Sequence, residues 1–194
     1  MQRLTSLTHF TIRGGCKDVE LFPKECLLPS SLTSLEIVEL PSLKSLDSGG
    51  LQQLTSLLKL EITNCPKLQF STGSVLQHLI SLKKLRIYGC SRLQSLTEVG
   101  LQHLTSLENL EIRHCPMLQS LTKVGLLHLT SLKTLSIYNC RKLKYLTKER
   151  LPDSLSYLGI KKCPLLEKRC QFEKGEEWRY IAHIPKITIN YVLY

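Results

Sequence analysis

Five cysteines recur at near-constant intervals, and they are the first residues in this sequence whose spacing suggests chemistry. Cys65, Cys90, Cys115, Cys140 and Cys163 are separated by 25, 25, 25 and 23 residues. On neighbouring strands about 5 Å apart, such a column falls within disulfide Cα distances and suggests a redox or metal site. The sequence has no C-x-x-C pair, however, and Cys163 to Cys170 is too wide to form a zinc site by itself. Because buried free cysteine behaves as a small hydrophobic residue, we expect structural thiols.

Histidine recurs with the same period, and a histidine column suggests pH sensing or metal binding. His78, His103 and His128 each lie in a turn just before a Leu-x-Ser-Leu step, and Gln53 takes this position one copy earlier. Regular recurrence is what a structural role in the turn predicts. No carboxylate pair, Ser/His/Asp set or Cys/His set stands apart from the repeat. We therefore expect no catalytic residues, no metal, no cofactor and no enzyme activity.

The elements that position these side chains are copies of an internal repeat. The first leucine of each copy lies at Leu7, Leu32, Leu57, Leu82, Leu107, Leu132 and Leu155, giving five steps of 25 residues and one of 23. Each copy reads L-x-x-L-x-I, with Phe10 in place of the second leucine of the first copy. A fixed period of this length indicates stacked structural units that bury a shared core.

Each copy predicts one short strand and one irregular return segment. In a strand, Leu110 and Ile112 point to one face while Asn109, Glu111 and Arg113 point to the other. The return segments are too long for hairpins, and their Pro and Gly residues allow only short helical or 3-10 turns. We therefore predict an α/β fold, a leucine-rich-repeat solenoid with a curved parallel sheet on its concave face and turns and loops on its convex face.

The domain prediction is a solenoid of seven repeats over residues 1–170 and a C-terminal cap over residues 171–194. Ile184, Ile187 and Ile189 restore the repeat spacing and predict a degenerate eighth strand, with Trp178 packed over its end. At the other end, Leu4-Thr5-Ser6-Leu7 matches the ends of later return segments. We expect this first edge to continue a longer array or to be covered by a partner. Gly14-Gly15, which delays the cysteine of the first copy to Cys16, suggests a bulge.

Composition limits the classes of partner. The net charge is +10, and residues 141–194 hold 12 Lys and Arg against 6 Asp and Glu. Such a bias suits nucleic acid, an acidic neighbouring domain or simple solubility, but no nucleic-acid-binding motif accompanies it, so nucleic acid is the less favoured partner. No apolar run reaches the ~20 residues that span a bilayer, the first nine residues lack the apolar core and cleavage site of a secretory signal, and no Asn-x-Ser/Thr acceptor occurs. We expect no membrane association and a cytoplasmic location, with the nucleus as the alternative.

The repeats resemble the leucine-rich repeats of cytoplasmic plant nucleotide-binding disease-resistance receptors. Their L-x-x-L-x-I-x-x-C-P units correspond here to residues 57–66 and 107–116. The segments 166–170, 175–178 and 181–185 are similar to the C-terminal end of those receptors. Secreted plant receptor ectodomains differ, since they carry asparagine at the cysteine position and a following Gly-x-Ile-Pro.

The resemblance implies a protein-binding module with a sensing and autoinhibitory role in plant defence. Its partner would be a pathogen effector, a host protein or an upstream nucleotide-binding switch domain. The G-x-x-x-x-G-K-[ST] phosphate loop of that switch domain does not occur in this sequence, so nucleotide binding is not carried over. The alternatives are a scaffold or substrate-recognition part of a ubiquitin ligase, for which no adaptor-binding motif is present, and a basic nucleic-acid binder.

The solvent-facing positions of the predicted strands supply the candidate partner site. Unlike the core positions, they vary from copy to copy. Glu61, Arg86 and Glu111 alternate in sign across adjacent strands, so one interpretation is purely structural pairing worth about 0.2 to 1 kcal/mol per pair. The other is a partner site, because exposed Tyr and Arg are frequent binding hot spots. The predicted site consists of Lys84, Arg86, Tyr88, Glu111, Arg113 and Tyr138.

Overall fold

The computed structural model describes residues 6–15, 17–70, 75–96, 100–121 and 125–194, and within them the protein is an α/β molecule built on one long sheet. The described strands, in chain order, are β1 (His9–Arg13), β2 (Leu21–Phe22), β3 (Ser34–Val38), β4 (Ser45–Leu46), β5 (Lys59–Thr63), β6 (Lys84–Tyr88), β7 (Asn109–Arg113), β8 (Thr134–Tyr138), β9 (Tyr157–Lys161), β10 (Lys186–Ile189) and β11 (Val192–Leu193). The helices are α1 (Ser48–Gln52), α2 (Pro164–Arg169) and α3 (Trp178–Ile181).

The long sheet has the order β1-β3-β5-β6-β7-β8-β9-β10-β11, and its strands are parallel up to β10. Pairing follows the repeat: Leu60 lies opposite Leu85, and Leu85 opposite Leu110. The prediction that consecutive copies form parallel neighbours is confirmed. The eighth copy also pairs in parallel, since Ile187 lies opposite Leu158. The antiparallel strand β11, which the sequence pattern did not predict, follows it at the end of the sheet.

The core lies under one face of this sheet. In the parallel strands β3 and β5 to β10, the second and fourth residues lie there; Leu85 and Ile87, for example, are 0% exposed. The leucine two residues before β3 and before each of β5 to β9, such as Leu82, is equally buried. Burying these side chains stabilises the fold by about 1.5 to 3 kcal/mol for each large aliphatic residue. The exception is β1, whose Phe10 and Ile12 are only partly buried, because β1 is the edge strand of the sheet within the described residues.

The described parts of the return segments contain only short regular elements, as predicted. Helix α1 begins at an Asp47 cap, whose carboxylate accepts a hydrogen bond from the backbone of Gly49 at 3.0 Å. Two 3-10 turns, Leu101–His103 and Leu126–His128, occupy the same place in later copies. Unexpectedly, the return segments also pair with one another in parallel, as β2 with β4 and in single bridges that join Ser95, Ser120 and Tyr145.

Seven strands of the long sheet, β1, β3 and β5 to β9, are each followed directly by a residue with left-handed backbone geometry. These residues, with φ between 53° and 67°, are Gly14, Glu39, Asn64, Gly89, His114, Asn139 and Lys162. In this conformation the backbone N–H of His114 donates to the carbonyl of Tyr138 on the next strand at 2.9 Å, and Gly14, Glu39, Asn64, Gly89 and Asn139 make the equivalent bond. At the predicted bulge, Gly14 takes the left-handed position that the other copies share, and Gly15, with a φ of 65°, adds a second left-handed residue. Cys16, which follows, lies outside the described residues, as do Leu4 and Thr5.

The C-terminal segment packs against the same core as the repeats. Trp178 is half-buried against that core, and its ring lies 4.9 Å from the ring of Phe172 and 6.0 Å from that of Tyr194. Cys170 and Ile181 are fully buried. Within the described ranges, no helix is long and apolar enough to cross a membrane.

Candidate interaction surface

The face of the long sheet opposite the core, called the open face here, presents the first, third and fifth residues of each strand. Most of these side chains are half-buried or exposed, as predicted. Three are not: Ser34 is 7% exposed, Val38 is 8% exposed, and Gly159 is also buried. Ser34 and Val38 are short and lie beside Lys59 and Arg13 of the neighbouring strands, and the ring of Tyr157 lies over Gly159.

An alternating row of charges crosses the first part of the open face. This charge ladder consists of Glu36, Lys59, Glu61, Arg86, Glu111 and Arg113. Its centre is Arg86, whose Nη1 lies 2.9 Å from Glu61 Oε1 while its Nε donates to Glu111 Oε2 at 2.7 Å. Glu111 also pairs with Arg113. The ladder contains three carboxylates and three cations and is therefore neutral in sum.

Ion pairing in the ladder shifts the pKa values of Glu36 and Lys59. The hydrogen bond from Lys59 lowers the pKa of Glu36, and the same bond raises the pKa of Lys59. Both side chains are about one-third exposed, so solvent screens the pair. The structural interpretation of the alternating charges is thus realised in the fold: predicted site residues Arg86, Glu111 and Arg113 hold one another in place.

The predicted site residues Tyr88 and Tyr138 belong to a second group, at the ends of their strands. They lie on either side of His114, with ring centroids 4.8 Å and 5.2 Å from the imidazole. The ring of His114 also lies within hydrogen-bond distance of Asn139, 3.0 Å from Nδ1 to Nδ2. The left-handed turns after the strands direct His114 and Asn139 onto this surface. Sequence reasoning missed both, although their place directly after the strand was a usable signal.

Lys84, the remaining predicted site residue, lines a shallow depression with Arg86, Asn109 and Glu111. The structure therefore brings the six predicted residues onto one face but divides them. Arg86, Glu111 and Arg113 belong to the charge ladder, Tyr88 and Tyr138 flank His114, and Lys84 lies at the amino end of β6.

A further depression, called the tyrosine notch here, lies at the C-terminal end of the open face. Its volume is about 200 Å³, its floor contains Ser136 and Gly159, and its walls are Arg113, Tyr138, Tyr157, Lys161 and Tyr191. The notch exists because the third residues of the adjacent strands β8 and β9, Ser136 and Gly159, have a small side chain and none. Of the wall residues, Tyr157, Lys161 and Tyr191 were not among the predicted site residues; the adjoining small residues Ser136 and Gly159 were the signal.

The cysteine column lies in the core, away from the open face. Cys65, Cys90, Cys115, Cys140 and Cys163 are free, 0% exposed thiols. Each thiol donates to the carbonyl two residues earlier, at 3.3 to 3.7 Å. Burial raises the pKa of Cys90 to about 12, and hydrogen bonding to Cys115 raises that of Cys140 to about 12. At neutral pH both are therefore protonated, a state that neither attacks disulfides nor binds metal.

The histidine column lies in the return segments. His103 and His128 each end a 3-10 turn and donate a backbone hydrogen bond to the glycine three residues earlier. In the parts of the chain that the structure describes, no three His, Cys, Asp or Glu side chains are close enough to hold a metal ion.

Comparison with curated proteins shows a short similarity to a plant protein. A stretch of 33 residues, 17% of this chain, is 54% identical to RGA4 of Solanum bulbocastanum, which is described as a candidate disease resistance protein. The matched stretch spans 3% of that relative's length. No protein-family model matches the chain.

Proposed function

We propose that this chain is a non-catalytic, leucine-rich-repeat protein-binding module, the sensing and autoinhibitory part of a plant immune receptor. The observation that carries the proposal is the contrast between the two faces of the sheet. On the core face the residue type hardly changes from strand to strand, whereas on the open face each strand presents a different set. A constant scaffold with a variable, Tyr- and Arg-bearing surface suits recognition of a protein partner.

Two further observations support this proposal. The strands stack at a step of 25 residues with short turns between them, the arrangement expected of a leucine-rich-repeat solenoid. The short similarity to a disease resistance protein favours a role in plant defence, in the cytoplasm. The partner in this proposal is a pathogen effector, a host protein or the nucleotide-binding switch domain of the receptor.

The test is a comparison of surface variants. Tyr88→Ala, Arg113→Ala and Tyr138→Ala remove side chains from the open face, and Arg92→Ala removes an exposed arginine from a return segment as the matched control. Each variant is used to capture proteins from pathogen-treated leaf extract and is titrated with a recombinant nucleotide-binding switch module. We expect the open-face variants to melt like the unmodified protein. Their binding free energy for the captured protein or for the switch module should weaken by ~1 kcal/mol or more, while Arg92→Ala binds as the unmodified protein does.

Two results would contradict the proposal. Unchanged binding in all three folded open-face variants would exclude this face as the partner surface. Binding of RNA or DNA alone, with a steep dependence on salt concentration, would favour the nucleic-acid alternative.

A further inference from the structure

We infer that the tyrosine notch binds the carboxylate side chains of an acidic segment of a protein partner. The inference deepens the proposed function and rests on it, because it assigns the chemistry of the partner to one part of the open face. Three observations carry it: an uncompensated group of cations, a depression shaped by glycine, and aromatic rings that hold the cations in place.

The charge balance of the open face changes along the sheet. From β3 to β7 the ladder neutralises itself, and its last carboxylate is Glu111. Beyond it, Lys161 ends β9, Lys162 follows directly, and Lys186 begins the adjacent strand β10 opposite Tyr157. Among the described residues, no carboxylate lies within ion-pair distance of these three ammonium groups, and none lines the notch. This end of the face is therefore locally cationic.

Aromatic rings hold these cations around the notch. Lys161 Nζ lies 4.6 Å from the ring centroid of Tyr191, and Lys186 Nζ lies 5.7 Å from that of Tyr157. A cation over an aromatic face is attracted by the ring quadrupole, which restricts the ammonium without removing its charge. The lysines thus remain available to an anion but lose less freedom when it binds.

Gly159 provides the space. A Cβ atom at this position would lie 2.7 Å from the hydroxyl of Tyr157, so the tyrosine ring can lie over the strand only while residue 159 has no side chain. With Ser136 next to it, the floor remains open between the tyrosine walls. A carboxylate that enters from above meets Lys161 on one wall, with hydroxyl groups of Ser136 and Tyr157 nearby as neutral donors.

A protein segment fits this site better than a nucleic acid does. Nucleic-acid grooves follow a phosphate backbone over several nucleotides and offer uncovered aromatic faces for base stacking. Here the cations are confined to two adjacent strands, the neighbouring ladder is neutral, and the rings of Tyr157 and Tyr191 each lie under a lysine. An acidic stretch of polypeptide needs only such a short, local match.

The experiment uses the full chain and a fluorescein-labelled octaglutamate peptide, with octaglutamine as the uncharged probe and a single-stranded RNA oligonucleotide as the competing class. The Lys161→Gln/Lys186→Gln double variant removes the wall cation Lys161 together with Lys186, which lies over the ring of the wall residue Tyr157. The Lys24→Gln/Lys67→Gln double variant changes the net charge equally at two exposed lysines elsewhere. Gly159→Thr blocks the floor without changing any charge. Thermal melts establish that each variant is folded.

We expect octaglutamate to bind with a salt-sensitive affinity and octaglutamine not to bind. Both notch variants should weaken octaglutamate binding by about tenfold, while the Lys24/Lys67 control should keep it within about twofold. The inference would be overturned if octaglutamate did not bind, or if the control variant weakened its binding equally. It would also be overturned if RNA bound more tightly than octaglutamate and lost binding on the same substitutions. Tyr88 lies outside the notch. If partner binding still depends on Tyr88 when the octaglutamate test fails, only the notch is wrong; if both fail, the proposed function falls as well.

Discussion

The carboxylate of Glu177 lies 2.9 Å from the backbone nitrogen of Leu146, 31 residues earlier in the chain. The same oxygen accepts a second hydrogen bond from the backbone of Thr147 at 3.1 Å, and the other oxygen accepts one from Arg169 at 2.9 Å. The side chain of Glu177 is 2% exposed. One buried acid thus attaches the C-terminal segment to the return segment of the sixth repeat, and its hydrogen bond to Arg169 raises the pKa of that guanidinium.

Glu177→Ala should be strongly destabilising. It leaves two buried backbone N–H groups without their acceptor and removes the buried partner of Arg169, so we expect the free energy of unfolding to fall by about 3 to 5 kcal/mol. Urea unfolding at neutral pH measures this. Glu176→Ala is the matched control, because Glu176 contacts Arg169 at 2.8 Å but is 75% exposed; its cost should stay below ~1 kcal/mol. Similar losses in both variants would show that the buried contacts contribute little.

Leu110→Ala tests the shared core. Leu110 is 0% exposed and lies between Leu85 and Leu135 of the adjacent strands, so truncation leaves a cavity that costs about 2 to 5 kcal/mol. Asn109→Ala, one residue earlier on the open face, should change the stability by no more than ~0.5 kcal/mol. Thermal melts of the two variants make the comparison, and a tolerant Leu110→Ala would contradict the observed packing.

Arg86→Ala should destabilise the protein by about 1 to 2 kcal/mol, because Glu61 and Glu111 both lose a cation. The side chain of Arg86 is 36% exposed, so solvent screening keeps the effect below that of a fully buried pair. Added salt should reduce the difference from the unmodified protein, since it screens exposed charges. Arg92→Ala, an exposed arginine on a return segment, should show neither the loss nor the salt dependence; a loss independent of salt would contradict the electrostatic explanation.

Because of the buried cysteine column, we expect the free energy of unfolding to fall in alkaline solution. Cys90 and Cys140 have a pKa of about 12 in the folded protein and a lower one, near 9, when unfolded. The folded state then binds more protons than the unfolded state between these values, so the free energy of unfolding decreases as pH rises from about 9 towards 12. Each such thiol contributes up to ~1.4 kcal/mol per pH unit.

The measurement is urea unfolding at a series of pH values from neutral to alkaline, together with iodoacetamide labelling. Buried thiols such as Cys90 should react only after urea unfolds the chain, whereas the exposed Cys26 reacts in the folded protein. Cys26→Ser is the control and should leave the pH dependence unchanged. Rapid labelling of the cysteine column in the folded state would contradict its burial.

Much of the sheet could be predicted from the sequence, because a period-two pattern inside a 25-residue repeat leaves one arrangement that buries the repeated leucines of the L-x-x-L-x-I pattern. Leu85, Leu110 and Leu135 are therefore aligned in the structure as the spacing requires. Strand β11 and the pairing of return segments escaped prediction, since backbone hydrogen bonds between irregular segments leave no apolar pattern.

The open face shows the same division. Sequence alone determined which residues face away from the core, because side chains alternate along a strand whatever their chemistry. Only the tertiary structure decided which of them pair, stack or remain uncompensated. Arg86 pairs with two carboxylates, and Gly159 leaves space for the notch beside Tyr157. His114, which has left-handed backbone geometry, packs between two tyrosine rings. These relationships depend on side-chain lengths and directions across neighbouring strands, which the order of residues along one chain does not contain.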